Sequence, residues 1–410
     1  MARGTKDQIV VSIDIGTTKI CVLVGRKRGD QIEVIGVGKS PSYGLHKGVV
    51  VDVAKTISSI SQAIKEAETM TGLSIDSACI GVSGAHISSL HSSGVIPIKN
   101  GHIKSIDIAH VLDAAQAIPL PQGCQILHVL PQYFIINGQD IVQDPLGMHA
   151  VRLEVQTHII MGAVSSVQTL LYCCQSAGVT VTDIVLEQLA SALAVLSPDE
   201  LDLGVAVLDI GGGTSDFAVY KHSTVRHTKV IPVAGNHVTN DIALGLRIMK
   251  EEAEAIKKQY GVASLQIMNN EKLIEVEMMQ GNDLQVICIS DLVHIVECRM
   301  KELFTLVVDD INISNVRGFM SNGLVLTGGG SLLQGIQDLA EPLFNCPIRI
   351  GTPRVMFDLL ETLQSPLYAT GYGLLMYVMN NEKQIRMNMR TEPLTRRVFE
   401  SMRMWLTDFF

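Results

Sequence analysis

Two short segments of this 410-residue chain carry the residue types that bind phosphate: Asp14-Ile-Gly-Thr-Thr18 and Asp209-Ile-Gly-Gly-Gly-Thr214. Each puts an acid at the end of an apolar strand and a Gly/Thr turn behind it. Such a turn aims several backbone N–H groups at one point and forms an anion cradle. Gly16 in the first turn and Gly211, Gly212 and Gly213 in the second allow close backbone approach, while Thr17, Thr18 and Thr214 add hydroxyl donors. Asp14 and Asp209 suit a hydrated Mg²⁺, which keeps most of its waters and takes one or two carboxylates. One such turn alone is an ordinary Asp-Gly hairpin. Two in matching positions could clamp a polyphosphate from opposite sides.

A third cluster, Gly323-Leu-Val-Leu-Thr-Gly-Gly-Gly-Ser331, reads as a buried strand that ends in Gly328, Gly329 and Gly330 before a helix expected at Leu332 to Leu343. Bare backbone there could lie against adenine or an α-phosphate at the helix N-terminus; the plain alternative is a tight strand-to-helix turn. It is neither a Walker P-loop nor a Rossmann fingerprint. On a helix expected at Lys250 to Tyr260, Glu254 and Lys257 are three apart and share a face. They could meet ribose hydroxyls and a base, or form an exposed ion pair.

The elements that must position these residues follow from hydrophobic period. Ile9 to Gly38 alternates in three runs separated by Gly-containing turns, which predicts a three-strand meander. Helical spacing over Val51 to Thr71 stops at Gly72, and Ser77 to Val82 is a further strand. From about 84 to 162 the pattern is a small βαββ unit: a strand near Ala85 to Leu90, a helix at Ser105 to Ile118, and two strands. The last of these alternates through Val151, Leu153, Val155, Thr157, Ile159 and Met161. Its size suits recognition or assembly. A helix (Ser165 to Ala177), a strand (Val179 to Leu186) and a helix (Glu187 to Leu196) resume the larger fold, and Leu203 to Val233 repeats the opening meander. A repeat that long means two related domains, because solenoid repeats run ~20 to 50 residues.

Composition narrows the function classes. The chain is 47% hydrophobic with 18% charged residues, which excludes disorder. A net charge of -9 without a Lys/Arg stripe in the body argues against a nucleic-acid partner. Mean hydropathy is positive (+0.29), yet no apolar run reaches the ~18 to 20 residues that span a bilayer. The polar N-terminus lacks a signal-peptide core. A cytoplasmic protein is expected. The eight Cys form no C-x-x-C pair or zinc pattern and read as small core residues, and the His lack metal-ligand spacing.

Aromatics are only 4%, yet the single Trp falls at the extreme C-terminus beside three Phe. At about 100° per residue, Val398, Phe399, Met402, Trp405, Leu406, Phe409 and Phe410 share one arc; only Met404 is misplaced on the polar side. The polar segment Met379 to Arg397, with its Asn pair and Pro393, suits a flexible linker. From Lys383 onward six cations face three anions, reversing the charge of the body. An aromatic-faced helix with flanking Arg is the pattern of an in-plane anchor on anionic lipid; its alternative is a terminal helix docked on the protein's own core.

On these residues the chain resembles the FtsA family of actin-like bacterial cell-division proteins, within the superfamily of actin, hexokinase and heat-shock chaperone ATPases. The matching stretches are Ile13-Asp-Ile-Gly-Thr-Thr-Lys19, Leu208-Asp-Ile-Gly-Gly-Gly-Thr-Ser-Asp216, Leu326-Thr-Gly-Gly-Gly330, Arg226-His-Thr-Lys-Val-Ile-Pro232 and Ala253-Glu-Ala-Ile-Lys257. The resemblance implies an α/β, actin-like (ribonuclease H-like) two-domain fold with a duplicated βββαβα core. It implies ATP between the domains with Mg²⁺, touched by Lys19 along with the two turns, the Gly328–Gly330 run, Glu254 and Lys257. Leu186-Glu-Gln-Leu-Ala190 is similar to the family's Glu-Pro connection, which makes Glu187 the candidate catalytic acid, although Gln188 replaces the Pro.

The same resemblance implies a domain plan. Residues 1–83, 163–195 and 373–382 form the first core subdomain, and 84–162 an inserted one that binds later division proteins. The second core is 196–240 with 317–372, and 241–316 is the small subdomain closing over nucleotide. Then come a linker at 383–395 and a membrane helix at 396–410. Further implications are self-assembly into a polymer, at most weak ATPase activity, and tethering of the tubulin-like protein FtsZ to the inner membrane face at the division site. Arg299 lies where the family docks the FtsZ C-terminal peptide, and is otherwise a solvated cation. Two alternatives share the fold: a pilus-assembly ATPase, which generally lacks the terminal helix, and a small-molecule kinase, for which no sugar-pocket Asp motif is present. Too few residues follow the fold for a chaperone's substrate-binding domain.

Overall fold

The computed structural model describes residues 8–29, 31–99, 101–267, 273–277, 284–354 and 363–389. The expected membrane helix at 396–410, from Val398 through Trp405 to Phe410, and linker residues 390–395 lie outside the described residues.

The opening meander forms as expected: β1 (Ile9–Ile15), β2 (Lys19–Arg28) and β3 (Gln31–Pro41) pair antiparallel. A two-rung hairpin, β4 (Leu45–His46) and β5 (Val49–Val50), leads to α1 (Val53–Thr71). The Asp52 side chain caps α1 by accepting from Lys55 N, and Gly72 ends it in the left-handed region. Its buried face, including Ile60, Ala63, Ile64 and Ala67, covers the sheet. Parallel strands β6 (Ser77–Val82) and, later, β11 (Thr180–Leu186) complete the order β11-β6-β1-β2-β3.

Between β6 and β11 lies the inserted unit, built from β7 (Ser88–Pro97), α2 (Ser105–Gln116), β8 (Cys124–Ile136), β9 (Asp140–Val142) and β10 (Arg152–Ala163). Its sheet order is β7-β10-β8-β9. Two details differ from the βαββ reading. The first strand runs to Pro97 rather than Leu90, because its full length pairs with β10. The third residue run is a hairpin, with short β9 folding back on β8. The alternation in β10 holds from Leu153 to Met161, but His158 and Ile160 on the opposite face are buried too, while Val151 precedes the strand and is 66% exposed. The far half of β10 is therefore covered on both faces. Part of that cover is the second lobe: Gln132 Nε2 donates to Val225 O (2.9 Å) and Arg226 O (3.2 Å), Ser89 Oγ donates to Thr228 O (3.2 Å), and His158 Nε2 lies 2.8 Å from Thr228 Oγ1.

After the insert come α3 (Val164–Ser176), β11, α4 (Glu187–Val195) and α5 (Pro198–Leu203). The second meander is β12 (Val205–Ile210), β13 (Ser215–Lys221) and β14 (Thr224–Ile231). Helices α6 (Gly235–Leu246) and α7 (Lys250–Tyr260), the hairpin β15 (Leu273–Glu277) with β16 (Leu284–Cys288), and the long α8 (Ile289–Ile313) follow. β17 (Leu324–Thr327), α9 (Ile336–Phe344) and β18 (Ile348–Ile350) close the second lobe. The order β14-β13-β12-β17-β18 reproduces that of the first sheet, antiparallel meander and then two parallel strands. The duplication read from the two turns is thus a duplication of whole sheets.

Helix α10 (Ala369–Met389) returns to the first lobe and packs on α4 between the two sheets. Apolar side chains of both sheets and both helices, among them Leu23, Ala190, Val207, Val325 and Leu374, form one continuous core. Two expected boundaries move. The helix placed at 332–343 is a 3₁₀ turn (Gly329–Leu332) followed by α9, because Gly335 at φ +74 breaks the helical path. The linker expected at 383–395 is helical through Met389: after Gly373 neither Gly nor Pro occurs until Pro393, so nothing breaks the hydrogen-bond ladder.

Candidate functional site

The turn of the first hairpin is held by Gly16 N donating to Lys19 O (3.1 Å), and that of the second by Gly211 N donating to Thr214 O (3.0 Å). The same backbone bond in both accounts for the shared Asp-x-Gly spacing. Their tips face each other at close range. A Cβ on Gly213 would overlap Thr17, and one on Gly212 would overlap Thr18. Only glycine lets the second backbone come so near the threonines of the first. Helix α6 starts under the second turn, with Gly235 N and Asn236 N donating to Gly211 O (3.0 Å) and Gly212 O (2.8 Å). From the other side, Gly48 N donates to Thr17 Oγ1 (3.2 Å).

Gly328 follows β17 with φ +79, and Gly329 and Gly330 continue the wall. Across from them α7 presents Lys257, which donates to Gly235 O (3.2 Å) and Thr239 Oγ1 (2.8 Å) and pairs with Glu254 (2.6 Å). The pair is not the surface feature that spacing alone allows: the Lys257 side chain is 12% exposed, against 71% for Lys258, Glu254's other partner. Burial pushes the Glu254 carboxyl up, but Lys257, Thr239 and Lys258 together outweigh it and hold it below its ordinary range. Burial likewise lowers Lys257, against the opposing pull of Glu254.

Asp14, Gly16, Thr17, Thr18, Lys19, Glu187, Asp209, Gly211–Gly213, Thr214, Glu254, Lys257 and Gly328–Gly330 all line one interlobe cavity of about 600 Å³. Lys19 Nζ donates to Leu367 O (2.5 Å) and stands 4.7 Å over the Tyr368 ring. Arg299, by contrast, is outside the cavity. It bridges α8 to α6 through Asp241 (2.5 and 2.9 Å) and also pairs with Glu302. It is a paired, partly buried cation rather than a free one.

The electrostatics of the cavity are set by acids crowded out of water. Burial raises Asp14 to about 6, with Lys19 opposing and Asp209 adding. Asp209 is raised by burial, though Ser191, Thr370 and Lys19 pull it back. Asp216 reaches about 7, again by burial first; Ser83 and Thr214 lower it, and Asp209 and Asp14 raise it. Glu187 is pushed well above the carboxylate range by burial, then by Asp216, Asp14 and Asp209. Like charges in a dry site favour a cation. Among the described residues no three acidic, His or Cys side chains are grouped to ligate a metal directly. Asp14 and Asp209 both line the cavity, and two carboxylates are the number that a Mg²⁺ keeping most of its waters would take.

Several residues of the site escaped the sequence reading. Ser191 and Thr370, on α4 and α10, both donate to Asp209 Oδ2, Thr370 at 3.0 Å. Ser83 Oγ donates to Asp216 Oδ1 (2.6 Å) and lies 3.1 Å from Thr214 Oγ1. Only Asp216 had a signal, as the second acid of its Gly-rich stretch; lone Ser and Thr in apolar segments have none. Gln188 is fully buried with neither amide atom paired among the described residues.

Comparison with known proteins places this geometry. The sequence profile described as "Cell division protein FtsA" matches residues 206–373, and that of the "SHS2 domain inserted in FTSA" matches 84–161. The chain is 43% identical to the cell division protein FtsA of Pseudomonas aeruginosa over 92% of its own length and 91% of the relative's. Identity to FtsA of Bacillus subtilis is 36% (92% and 85%), and to FtsA of Escherichia coli K12 34% (99% and 97%). Among solved structures, the PilM-PilN type IV pilus biogenesis complex superposes with a TM-score of 0.65 at 17% identity, covering 90% of this chain and 98% of that one. MreB5 of Spiroplasma citri bound to ADP gives 0.57 at 16%, covering 94% and 99%. These likenesses show the actin-like two-domain fold. With an actin-like architecture, the inserted SHS2 unit and whole-length identity of this order, the chain belongs to the family of cell division protein FtsA.

Proposed function

We propose that the chain binds ATP with Mg²⁺ in the interlobe cavity and acts as a filament-forming adaptor that tethers FtsZ to the cytoplasmic face of the inner membrane and gathers later division proteins. The observation that carries the nucleotide reading is the meeting of the two hairpin tips, Thr17 and Thr18 against Gly213 and Gly212, at one end of a cavity whose other walls are Gly328–Gly330 and the Glu254–Lys257 pair. The turn amides and threonine hydroxyls donate to phosphate oxygens. Asp14 and Asp209 would hold the cation through its waters, and the cation would supply charge neutralisation of the phosphates. Ser191 and Thr370 orient Asp209 for that role. Thr239, itself bonded to both Glu254 (2.5 Å) and Lys257, fixes the two side chains that face the ribose and base. The solved relative of the same fold that carries ADP supports a nucleotide as the guest.

Glu187 faces the same space, its carboxyl held well above the ordinary range by burial and by Asp216, Asp14 and Asp209. Slow hydrolysis at most is expected. For the FtsZ peptide, Arg299 already holds Asp241 and Glu302, so an acidic tail docks by displacing or sharing those carboxylates. Calorimetric titration of the full chain with ATP tests the nucleotide reading. Micromolar binding that needs Mg²⁺ and is lost in Asp209→Ala is expected; absence of binding at millimolar ATP would sink it.

A further inference from the structure

We infer that Ser83 is a positioning residue that ties the phosphate end of the cleft to the inserted subdomain, so that ligand in the cleft and the seating of the insert on the second lobe respond to each other. This rests on the nucleotide reading of the cavity. Ser83 stands between the end of β6 at Val82 and the insert that begins at 84, and it lines the cavity. Its hydroxyl reaches across to the other lobe, donating to Asp216 Oδ1 at 2.6 Å beside Thr214 Oγ1 at 3.1 Å. All three side chains are buried.

The insert is therefore fastened twice. Its chain ends belong to the first lobe, while Gln132, Ser89 and His158 hydrogen-bond β14 of the second. β14 pairs with β13, the strand that carries Asp216. Any lobe movement that widens the cleft either breaks these bonds, of which those from Gln132 to Val225 and between His158 and Thr228 are buried, or drags the insert along. A buried hydrogen-bonding group stripped of its partner is costly, so the bonds resist breaking. Whatever stabilises the closed cleft then stabilises the seated insert, and linkage makes the effect reciprocal.

The test uses the full chain, its Ser83→Ala, Ser83→Thr and Gln132→Ala variants, Mg²⁺ with a non-hydrolysable ATP analogue, and two readouts: calorimetric affinity and hydrogen exchange over residues 88–97 and 124–136. Expected are a roughly tenfold loss of affinity in Ser83→Ala, the size of one hydrogen bond to a charged acceptor, and recovery in Ser83→Thr. Ligand slows exchange in the insert of the unsubstituted protein and does so less in Ser83→Ala. Gln132→Ala, remote from the cavity, weakens affinity several-fold. An unsubstituted protein that binds, with Ser83→Ala and Gln132→Ala binding equally well and with unchanged exchange, overturns this inference alone. A protein that does not bind overturns the nucleotide reading and this inference with it.

Discussion

Gly328 closes directly over the carboxylate of Asp209: a Cβ at this position would collide with Asp209 Oδ1 and stand 2.7 Å from Ile210 O. The contact joins the third glycine run to the acid of the second hairpin, two features far apart in sequence. Backbone at φ +79 adds a second reason for glycine. Gly328→Ala is expected to destabilise the fold by about 1 to 3 kcal/mol from strain alone, with further displacement of Asp209. A melting temperature several degrees lower, together with loss of ATP affinity, checks it. An unchanged melting curve would refute the close approach.

Asp14 offers a pH test with a defined sign. Its folded value, about 6, lies above the ordinary 3.8. The folded state therefore holds a proton that the unfolded chain has released between those values, and stability is withdrawn as pH rises through them. Asp14→Asn keeps the shape of the side chain and removes its charge. In chelator, the variant is expected to be more stable than the parent at pH 7.5, by up to about 3 kcal/mol, and equal to it near pH 4. Comparing the two proteins cancels the opposite contribution of buried His128 and His158, whose values are pushed down by burial. The same variant should lose the Mg²⁺ dependence of ATP binding. A gain in stability that is the same at both pH values would contradict the assignment.

Lys257 should behave as a cavity wall rather than a surface cation. Replacing it with Gln leaves Glu254 with only exposed Lys258 and Thr239 as partners. ATP affinity is expected to fall about tenfold, the effect of one charge-assisted contact, whereas Lys258→Gln changes it little. Equal effects of the two substitutions in a binding titration would rule out the distinction.

The C-terminal segment is tested on vesicles of anionic lipid. Deletion of residues 396–410, or Trp405→Glu, is expected to abolish co-sedimentation, since the proposed aromatic anchor is removed or exchanged for an acid that a lipid interface disfavours. ATP binding should survive, because among the described residues none beyond Thr370 lines the cavity. Undiminished sedimentation of the deletion variant would exclude the anchor.

Strand meanders, the helix ending at Gly72, and both Asp-Gly-Thr turns were legible in the sequence because each depends on contacts a few residues apart: alternation, capping and turn chemistry are local. The duplication was legible for the same reason, as two copies of one local pattern. Where a reading failed, the deciding residue lay outside the pattern. Pairing with β10 carried β7 to Pro97, and Gly335 delayed α9.

Tertiary structure alone decided which groups face the clamp from elsewhere. Ser83, Ser191 and Thr370 are ordinary in sequence; Ser83 becomes a partner of Asp216 only when the two lobes meet, and Ser191 and Thr370 become partners of Asp209 only when helices α4 and α10 lie between the sheets. It also decided that Glu254 and Lys257 are shielded rather than solvated, and that Arg299 is paired. Protonation states belong to this class as well. Residue types by themselves determined that this chain places acids, glycines and threonines at the ends of two matching strands, the types that the proposed metal-bound phosphate would need. How strongly those acids resist ionisation depends on how much water the folded lobes exclude and how near they bring like charges, and neither quantity exists along the unfolded chain.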